Sequence, residues 1–336
     1  MTELSRRTLL AGTAGATVAA AGALGSTLMA SSSAEAQQPA STAKPMPPKQ
    51  VPSAYRYKVG DILVTAVSDG MRTIPLPEGF VRNAGKAEVN AALEAAALPP
   101  DQLYLPFNVL LIETGGRRVL VDTGNGPSQG PVGLLAGTLG ALGIDPGSID
   151  QVVISHFHGD HINGLVTAEG APAFPKAQVF VPEAEWAFWT DEGEASRAPD
   201  RLKGSFQNVA RVFKPFAGKV ERYAWDKEVA PGLTAVGTPG HTPGHTSFQL
   251  ESGFDTLFIQ SDVTNIPALF VAHPTWQVMF DMDGAKAAEV RRRTYDRLAA
   301  DKIQVAGYHF PFPGAAYVLR EGDGFRYVPV TWNPAL

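Results

Sequence analysis

The sequence H-F-H-G-D-H at residues 156–161 contains three histidines and one aspartate within six residues. It follows directly on segment 151–155, whose apolar and β-branched residues are typical of a buried strand. In an extended chain, side chains two residues apart point the same way, so His156 and His158 can bind one metal ion together. The chain can turn sharply at the intervening glycine and present Asp160 and His161 to a second ion. Imidazole and carboxylate are suitable ligands for zinc, iron or manganese, so this segment predicts a metal site.

The composition of the chain limits what kind of site this is. The 336 residues include seven histidines and no cysteine, which excludes disulfides, thiolate nucleophiles and thiolate-held metals. The net charge of −5 argues against a nucleic-acid partner, because such proteins normally carry a basic surface. Hydrophobic residues make up 44% and charged residues 18%, which is typical of a folded globular chain. Any metal must therefore be held by histidine and carboxylate in a globular domain.

The amino-terminal residues predict export. The pair Arg6-Arg7 precedes a run of small and apolar residues that continues to about residue 30, and Ala34-Glu35-Ala36 fits a small-residue cleavage site. We therefore expect a Tat-type signal peptide at 1–36, a flexible Pro-rich linker at 37–54 and a hydrolase domain at 55–336. The expected location is the periplasm or the exterior, with no stable membrane span after cleavage. An uncleaved membrane anchor is the alternative interpretation of the same apolar run.

Strand-like and helical patterns alternate along the rest of the chain. The predicted strands cover 61–67, 107–114, 118–122, 151–155, 178–182, 233–237, 246–250, 256–260, 303–306 and 326–329. The predicted helices cover 87–97, 132–142, 183–189, 205–213 and 285–300. Such a mixture without an obvious linker indicates one α/β or α+β domain.

Five segments in a fixed order resemble the metallo-β-lactamase superfamily. H-F-H-G-D-H resembles the H-x-H-x-D-H signature of that family, and V-L-V-D-T-G upstream, which contains Asp122, resembles its first motif. T-P-G-H-T-P-G-H at 238–245 resembles the third motif. Ser261-Asp262 resembles the fourth, with Ser261 where many members have glycine, and His309 resembles the fifth. The joint match is more specific than any single motif.

The resemblance implies a four-layered αββα sandwich with a dinuclear metal site. The implied metal ligands are His156, His158 and His245 for one ion, Asp160, His161 and His309 for the other, and Asp262 between them. Zn²⁺ is the first expectation for both divalent ions, with Fe, Mn or Co as alternatives, since the ligand set suits several metals. A metal-bound hydroxide would attack the substrate, and Asp160 or Asp262 would accept its proton.

Two further residues near the motifs are expected to support the ligands. His241 lies in the same segment as His245, and the resemblance assigns the metal to His245 and a supporting role to His241. Asp122 is expected to fix the orientation of a ligand rather than to bind metal.

The nearest branch of the family by resemblance is that of the methyl parathion hydrolase-like enzymes. The Tat-like leader, T-P-G-H-T-P-G-H-T at 238–246, E-A-E-W-A-F-W at 183–189 and Y-H-F-P-F-P-G at 308–314 resemble that branch, whereas 270–283 differs from it. The implied substrates are small lactones or aryl esters, with organophosphate triesters as a further class. Members of the family often form homodimers, so both a monomer and a homodimer remain open.

Three other functions compete with this hypothesis. G-P-S-Q-G at 126–130 matches the serine-hydrolase pattern G-x-S-x-G around Ser128, although the motif requires a strand, a tight turn and a helix. Thioester hydrolysis, persulfide oxidation and flavodiiron-type redox chemistry use the same ligand set within the superfamily. A non-catalytic metal-dependent binding protein is the third alternative.

Several other side chains have no firm role in the sequence. A group of aromatic residues near the motifs could line an apolar pocket or belong to the core: Trp186, Trp189, Phe270, Trp276, Phe310 and Phe312. The run Arg291-Arg292-Arg293 lies in a predicted helix and is expected to be a solvated face. His273 matches no motif and is expected to be a surface or core histidine.

Overall fold

The computed structural model of the chain describes residues 50, 51, 53–128 and 130–336. The predicted signal peptide (1–36) and residues 37–49 of the predicted linker lie outside the described residues. Within the described part, no helix is both long enough and apolar enough to cross a membrane.

In these residues, seven strands form the first sheet in the order of the sequence. They are β1 (Ala54–Val59), β2 (Ile62–Pro75), β3 (Gln102–Thr114), β4 (Arg117–Val121), β5 (Gln151–Val153), β6 (Gln178–Pro182) and β7 (Val220–Tyr223). Strands β1 to β4 pair antiparallel, whereas β4 to β7 pair parallel.

The second sheet, taken over the same described ranges, also has seven strands in sequence order. They are β8 (Glu228–Ala230), β9 (Leu233–Gly237), β10 (Thr246–Ser252), β11 (Asp255–Ser261), β12 (Gln304–Gly307), β13 (Ala315–Glu321) and β14 (Gly324–Pro329). All neighbours pair antiparallel except β11 and β12, which are parallel.

The helices follow the apolar spacing of their sequences. They are α1 (Lys86–Ala95), α2 (Leu135–Ala141), α3 (Gly159–Ile162), α4 (Glu183–Trp189), α5 (Glu192–Arg197), α6 (Asp200–Phe213), α7 (Pro267–Phe270) and α8 (Gly284–Asp301). In α6, Phe206, Val209 and Phe213 recur at helical spacing and are buried. Asp283 begins α8, since its side chain accepts a hydrogen bond from the backbone nitrogen of Lys286.

Three hydrophobic clusters stack these elements into four layers. The cluster between the sheets includes Val64 and Val121 from the first sheet and Phe248 and Leu257 from the second. A second cluster packs helices α1, α2, α4 and α6 on the outer face of the first sheet, and a third packs α8 on the outer face of the second. The predicted four-layered αββα sandwich is therefore confirmed.

Strands β2 and β3 continue beyond the sheet as a two-stranded arm, residues 71–75 paired with 102–106. A β-bulge at Asp69 precedes the arm, because Ser68 and Gly70 pair with consecutive residues of β3. Successive residues of the arm face opposite sides. One side faces the cavity described below, and the other side faces a second, mainly apolar cavity.

Candidate metal centre

The predicted ligands come from loops at one edge of the two sheets. The 156–161 segment follows β5, Asp262 follows β11 and His309 follows β12. Strands β4 and β5 are parallel, and so are β11 and β12, so the loops after these strands meet at the same edge. The T-P-G-H-T-P-G-H segment joins β9 to β10 and reaches the same place.

Within this edge, the side chains form two groups, each with its ligand atoms within 4.8 Å of one another. The first group is His156, His158 and His241, and the second is Asp160, His161 and His309. The two groups adjoin each other, because the ligand atoms of His156, His161 and Asp262 also lie within 4.8 Å of one another. The geometry therefore offers two adjacent groups of donors, each of which could hold a metal ion.

Asp262 lies between the two groups. Its Oδ2 is 3.3 Å from Nε2 of His241 in the first group and 3.2 Å from Nε2 of His309 in the second. Its Oδ1 is 3.3 Å from Nε2 of His161. Burial works against the charged carboxylate, but His309 and His161 outweigh it and hold the pKa of Asp262 well below its usual value. An ionised carboxylate in this position is suited to bridge two cations.

Two buried polar atoms at the centre of the cluster indicate that a cation fits. Nε2 of His161 and Oδ1 of Asp262 lie 3.3 Å apart, but among the described residues neither atom forms a hydrogen bond, and both are shielded from solvent. A buried polar group without a partner costs free energy, so such atoms in a folded protein call for an explanation. A metal ion coordinated by both atoms would satisfy them, and the imidazole and carboxylate donors suit a divalent ion.

Hydrogen bonds orient the histidines of the second group. Nδ1 of His161 lies 2.8 Å from Oδ2 of Asp122, and Nδ1 of His309 donates to the carbonyl oxygen of Pro106 over 2.9 Å. Because each Nδ1 contacts an acceptor, the Nε2 lone pairs remain for the cluster. Asp122 thus has the supporting position that the sequence predicts. Tyr308 also stabilises this group, since its hydroxyl donates a hydrogen bond to the carbonyl oxygen of Asp160.

His241 is oriented by a buried ion pair. Its Nδ1 is 2.8 Å from Oδ1 of Asp281, and Oδ2 of Asp281 is 3.4 Å from the guanidinium of Arg291. Arg291 also donates to the carbonyl oxygens of Val263 and Trp276. The expectation that the arginine run is a solvated face is therefore wrong for Arg291, which is 1% exposed. Its charge is buried because a carboxylate and several carbonyl groups face it.

The two histidines that face each other in the first group differ in charge. Burial, together with the neighbouring His241, lowers the pKa of His158 to about 3, so His158 is neutral at pH 7. Burial also disfavours a charge on His241, but the carboxylates of Asp262 and Asp281 outweigh it and raise the pKa of His241 to about 9. A cation that binds here would displace this proton, so metal binding is expected to release it.

In this segment the structure places His241, rather than the expected ligand His245, beside the other candidate ligands. Nδ1 of His245 faces the carbonyl oxygen of Thr238 at 3.1 Å, and its Nε2 accepts a hydrogen bond from the backbone nitrogen of Asp262 at 3.0 Å. Both ring nitrogens are therefore taken by protein groups. His241 instead points Nε2 to within 2.9 Å of Nδ1 of His158. The geometry assigns His241 to the cluster and His245 to holding Asp262.

Alanine variants of the two histidines are expected to behave differently. His241→Ala should bind one fewer divalent ion per chain, because the first group loses one of its three donors. His245→Ala should keep its metal content but lose about 1–3 kcal/mol of unfolding free energy, because it leaves buried hydrogen-bonding groups unpaired. Elemental analysis and denaturant unfolding of both purified variants test this. If His245→Ala lost metal and His241→Ala kept it, the metal ligand would be His245 instead.

The buried carboxylate of Glu185 in α4 joins two ligand loops. One oxygen accepts hydrogen bonds from the backbone nitrogen of Phe157 at 2.9 Å and from the indole of Trp189 at 2.8 Å. The other accepts from the hydroxyl of Thr242 at 2.9 Å and the backbone nitrogen of Gly244 at 2.8 Å. Burial raises its pKa, although these four bonds oppose the rise. Glu185 thereby fixes the loop of His158 relative to the loop of His241.

The sequence did not identify Glu185, although it lies within the quoted segment 183–189. The signal that was present is an acidic residue one helical turn before Trp189, on the face that the tryptophan buries. Gly244 belongs to the same contact, because a Cβ on it would lie 2.1 Å from the backbone nitrogen of Glu185.

Two serines link the loops that follow β5 and β11. Ser261 has a φ of 50°, in the left-handed region that favours glycine, which accounts for the glycine that many family members have there. Its hydroxyl donates to Oγ of Ser155 over 2.8 Å, and Oγ of Ser155 donates to Oδ2 of Asp122 over 2.8 Å. The serine thus adds a hydrogen bond between the loops that a glycine could not make.

Another buried carboxylate that the sequence did not single out is Asp69, in the β-bulge. It accepts hydrogen bonds from the backbone nitrogens of Asn125, Gly133 and Leu135, which lie in the segment after β4. Burial raises its pKa, and these bonds oppose the rise. Asp69 thereby holds in place the loop that begins with Asp122.

A cavity of about 550 Å³ opens above the cluster and contains His158, Asp160, His241, Asp262 and His309 in its lining. Its apolar wall consists of Ile74, Leu105, Phe107, Leu202, Met279 and Phe280. Asp160 is the more accessible of the two carboxylates, with 25% of its side chain exposed against 3% for Asp262. The cavity has the size and the mixed lining of a small-molecule site.

The aromatic residues noted in the sequence do not line this cavity. Trp189, Phe270, Trp276 and Phe310 are buried in the hydrophobic clusters, and Trp186 packs against one of them. Phe312 is 41% exposed and lines the second cavity, as does His273, which stacks on Trp276 with ring centroids 4.1 Å apart. Most of these aromatic residues therefore belong to the hydrophobic core, which is one of the two roles that the sequence allows.

The serine-hydrolase alternative finds no support in the geometry. Ser128 is exposed on a loop between β4 and α2, without the strand, tight turn and helix that a nucleophile elbow requires. Among the residues that the structure describes, no histidine forms a hydrogen bond with Ser128.

Comparison with known proteins agrees with the geometry of the cluster. The sequence model of the family "Metallo-beta-lactamase superfamily" matches residues 105–306, which is more than half of the 336-residue chain. The chain belongs to the metallo-β-lactamase superfamily. This superfamily member has lactonases among its relatives by sequence and by structure.

By sequence, an N-acyl homoserine lactonase of a Bacillus species is 28% identical over 183 residues, which cover 48% of this chain and 65% of that lactonase. The match thus spans just under two thirds of that relative's length. The N-acyl homoserine lactonase AiiA of Bacillus thuringiensis subsp. kurstaki is 28% identical over 198 residues, which cover 52% of this chain and 71% of AiiA.

By structure, the dizinc quorum-quenching lactonase AidC, solved with a product, superposes with a TM-score of 0.80 at 24% identity. That match covers 85% of this chain and 100% of AidC, and it shows the same fold. The hydrolase AbOPH superposes with a TM-score of 0.79 at 25% identity, over 85% of this chain and 100% of AbOPH. By family and fold, the superfamily member groups with lactonases and other hydrolases, and its histidine and aspartate groups could hold metal ions.

Proposed function

We propose that this superfamily member is an exported dinuclear hydrolase of lactones or aryl esters, with phosphotriesters as a further substrate class. The observation that carries the proposal is the position of Asp262 between two three-residue groups at the base of a 550 Å³ cavity. His156, His158 and His241 would hold one divalent ion, and Asp160, His161 and His309 the other, with Zn²⁺ as the first choice. The lactonase relatives support the ester and lactone class.

Two divalent ions, when bound, would supply Lewis acidity and lower the pKa of a water molecule. The chain's own residues would orient the reactants and move the proton. Asp160 is the better proton acceptor, because its carboxylate reaches the cavity while Asp262 is enclosed by His161, His241 and His309. The apolar wall of Leu105, Phe107 and Phe280 would bind the body of the substrate and exclude water around the carbonyl.

Metal analysis combined with a hydrolysis panel tests this function. We expect two equivalents of divalent metal per chain and turnover of a lactone or an aryl ester that a chelator abolishes and Zn²⁺ restores. A thioester and a phosphotriester in the same panel separate the related chemistries. Inactivation by a serine-reactive phosphonate with both metals retained would contradict the proposal, as would metal content without turnover of any of the four substrates. Ser128→Ala is the matched control and should retain activity.

Export is part of the proposal and rests on the amino-terminal sequence. The pair Arg6-Arg7 and the segment Ala34-Glu35-Ala36 support a Tat signal that is cleaved after Ala36. Amino-terminal sequencing of the protein from the periplasmic fraction checks both the route and the cleavage site. Recovery of the uncleaved chain in the membrane fraction would favour the anchor instead.

A further inference from the structure

We propose that the cavity above the metal centre selects esters or lactones that carry a carboxylate on an otherwise apolar body, and that Arg72 and Arg201 bind this carboxylate. The inference rests on the proposed hydrolase function and narrows its substrate class.

The two arginines reach the same cavity from separate elements. Arg72 lies on the β2–β3 arm and pairs across the strands with Leu105, so both are on the side that faces the cavity. Arg201 lies in the first turn of α6, beside Leu202 and Ser205, which also line the cavity. A substrate above the metal centre would therefore lie in a cavity whose lining includes two arginines from separate elements.

Both guanidinium groups lack a partner within the described part of the chain. Neither Arg72 nor Arg201 has a carboxylate within 4.0 Å, and neither donates a hydrogen bond to another residue there. The nearby Arg211, by contrast, donates to the side chains of Asn163 and Asn208. The side chains of Arg72 and Arg201 are exposed and remain able to bind an anion.

The other charges of the cavity do not neutralise these arginines. The acidic residues in its lining are Asp160 and Asp262, and both belong to the metal cluster. Divalent ions bound there would offset the charge of the carboxylates and leave the cavity positive. Apolar walls such as Phe107 and Phe280 strengthen the field of the remaining charges.

This arrangement favours an anionic substrate over a neutral one of the same shape. A carboxylate at the far end of the acyl or alcohol part would accept charge-assisted hydrogen bonds from a guanidinium, which matches its planar geometry. A neutral substrate would leave both guanidinium groups to water and would bind through the apolar wall alone.

A matched pair of aryl esters tests the inference on the metal-loaded, full domain. 4-Nitrophenyl butyrate is neutral, whereas mono-4-nitrophenyl glutarate carries a terminal carboxylate at a similar chain length. The wild type should prefer the glutarate ester in kcat/KM, and Arg72→Met and Arg201→Met should each lower this preference about tenfold, the scale of a lost hydrogen bond to a charged group. Arg293→Met, an exposed position on α8, is the control and should keep the wild-type preference.

Binding of free glutarate, measured by calorimetry, separates this inference from the hydrolase function. Weaker binding of glutarate to both cavity variants than to the wild type and Arg293→Met supports the anion site even without turnover. Turnover of the neutral ester with an equal wild-type rate for both esters would overturn the inference and leave the hydrolase intact. Glutarate binding that is the same in all four proteins would overturn it as well.

Discussion

Replacing Asp262 by alanine is expected to lower kcat/KM for ester hydrolysis by about a thousandfold or more, which corresponds to several kcal/mol of lost transition-state stabilisation. The reason is its position, since one carboxylate contacts His161, His241 and His309 at 3.2–3.3 Å and so joins both ligand groups. The variant should also bind less metal. Steady-state kinetics with an aryl ester and elemental analysis of the same preparation measure both effects.

Asp301→Ala provides a matched control for this prediction, because Asp301 is an exposed aspartate at the end of α8. It should keep wild-type kinetics and metal content. If the Asp262 variant folds normally and retains near-wild-type activity, the proposal of a dinuclear site is wrong.

Glu185→Gln is expected to lower the unfolding free energy by about 2–4 kcal/mol, the cost of leaving one or two of its four buried donors without an acceptor. A glutamine has nearly the same shape but offers one acceptor oxygen in place of two, so either the Phe157 and Trp189 pair or the Thr242 and Gly244 pair loses its partner. Because these bonds set the distance between the loops of His158 and His241, the variant should also bind metal more weakly. Denaturant unfolding with and without metal measures both effects.

Glu183→Gln on the same helix is the control, since Glu183 is exposed and its replacement should change the stability by less than about 0.5 kcal/mol. Equal stabilities of the Glu183 and Glu185 variants would show that the buried carboxylate does not hold the loops together.

The sequence was sufficient to predict that several of the candidate ligands lie close together, because that information is local. His156, His158, Asp160 and His161 lie within six residues, and their spacing alone brings them together. The choice between His241 and His245 is not local. It depends on which ring nitrogens are occupied by Thr238, Asp262 and Asp281, and those contacts exist only in the folded chain.

The sequence did not reveal the buried charged residues Arg291 and Glu185 for a related reason. Charged residues in helices normally face water, so the sequence gives no reason to expect these two inside. Both nevertheless lie on the buried face of their helix, Glu185 one turn before Trp189 and Arg291 one turn before Tyr295. Their partners lie elsewhere in the chain, at Asp281 for the arginine and at Thr242 and Gly244 for the glutamate. Helical periodicity therefore indicates the face on which they lie, whereas the partners that stabilise a buried charge are apparent only in the folded chain.

Most of the predicted strands and longer helices agree with the structure, and the strand at 178–182 and the helix at 183–189 match to the residue. The strands that the sequence missed are β1, β7, β8 and β13. Strands β7 and β8 are only four and three residues long, too short for an alternating pattern to stand out. Strand β2 was predicted to end at residue 67 but continues to Pro75, because pairing with β3 sustains the polar end of the arm.

The β2–β3 arm has a consequence for how substrate range can change. Its residues alternate between two cavities, so Arg72 and Leu105 contact the space above the metal centre, while Met71 and Pro106 contact the other cavity. A single inserted or deleted residue in one strand of the arm would turn the side chains of that strand beyond the change to the other face. The metal ligands lie on separate loops, so a length change that leaves the carbonyl oxygen of Pro106 opposite His309 would keep them in place. A change in the length of the arm could therefore alter the substrate specificity of the enzyme in one mutational step. Its reaction chemistry would stay the same.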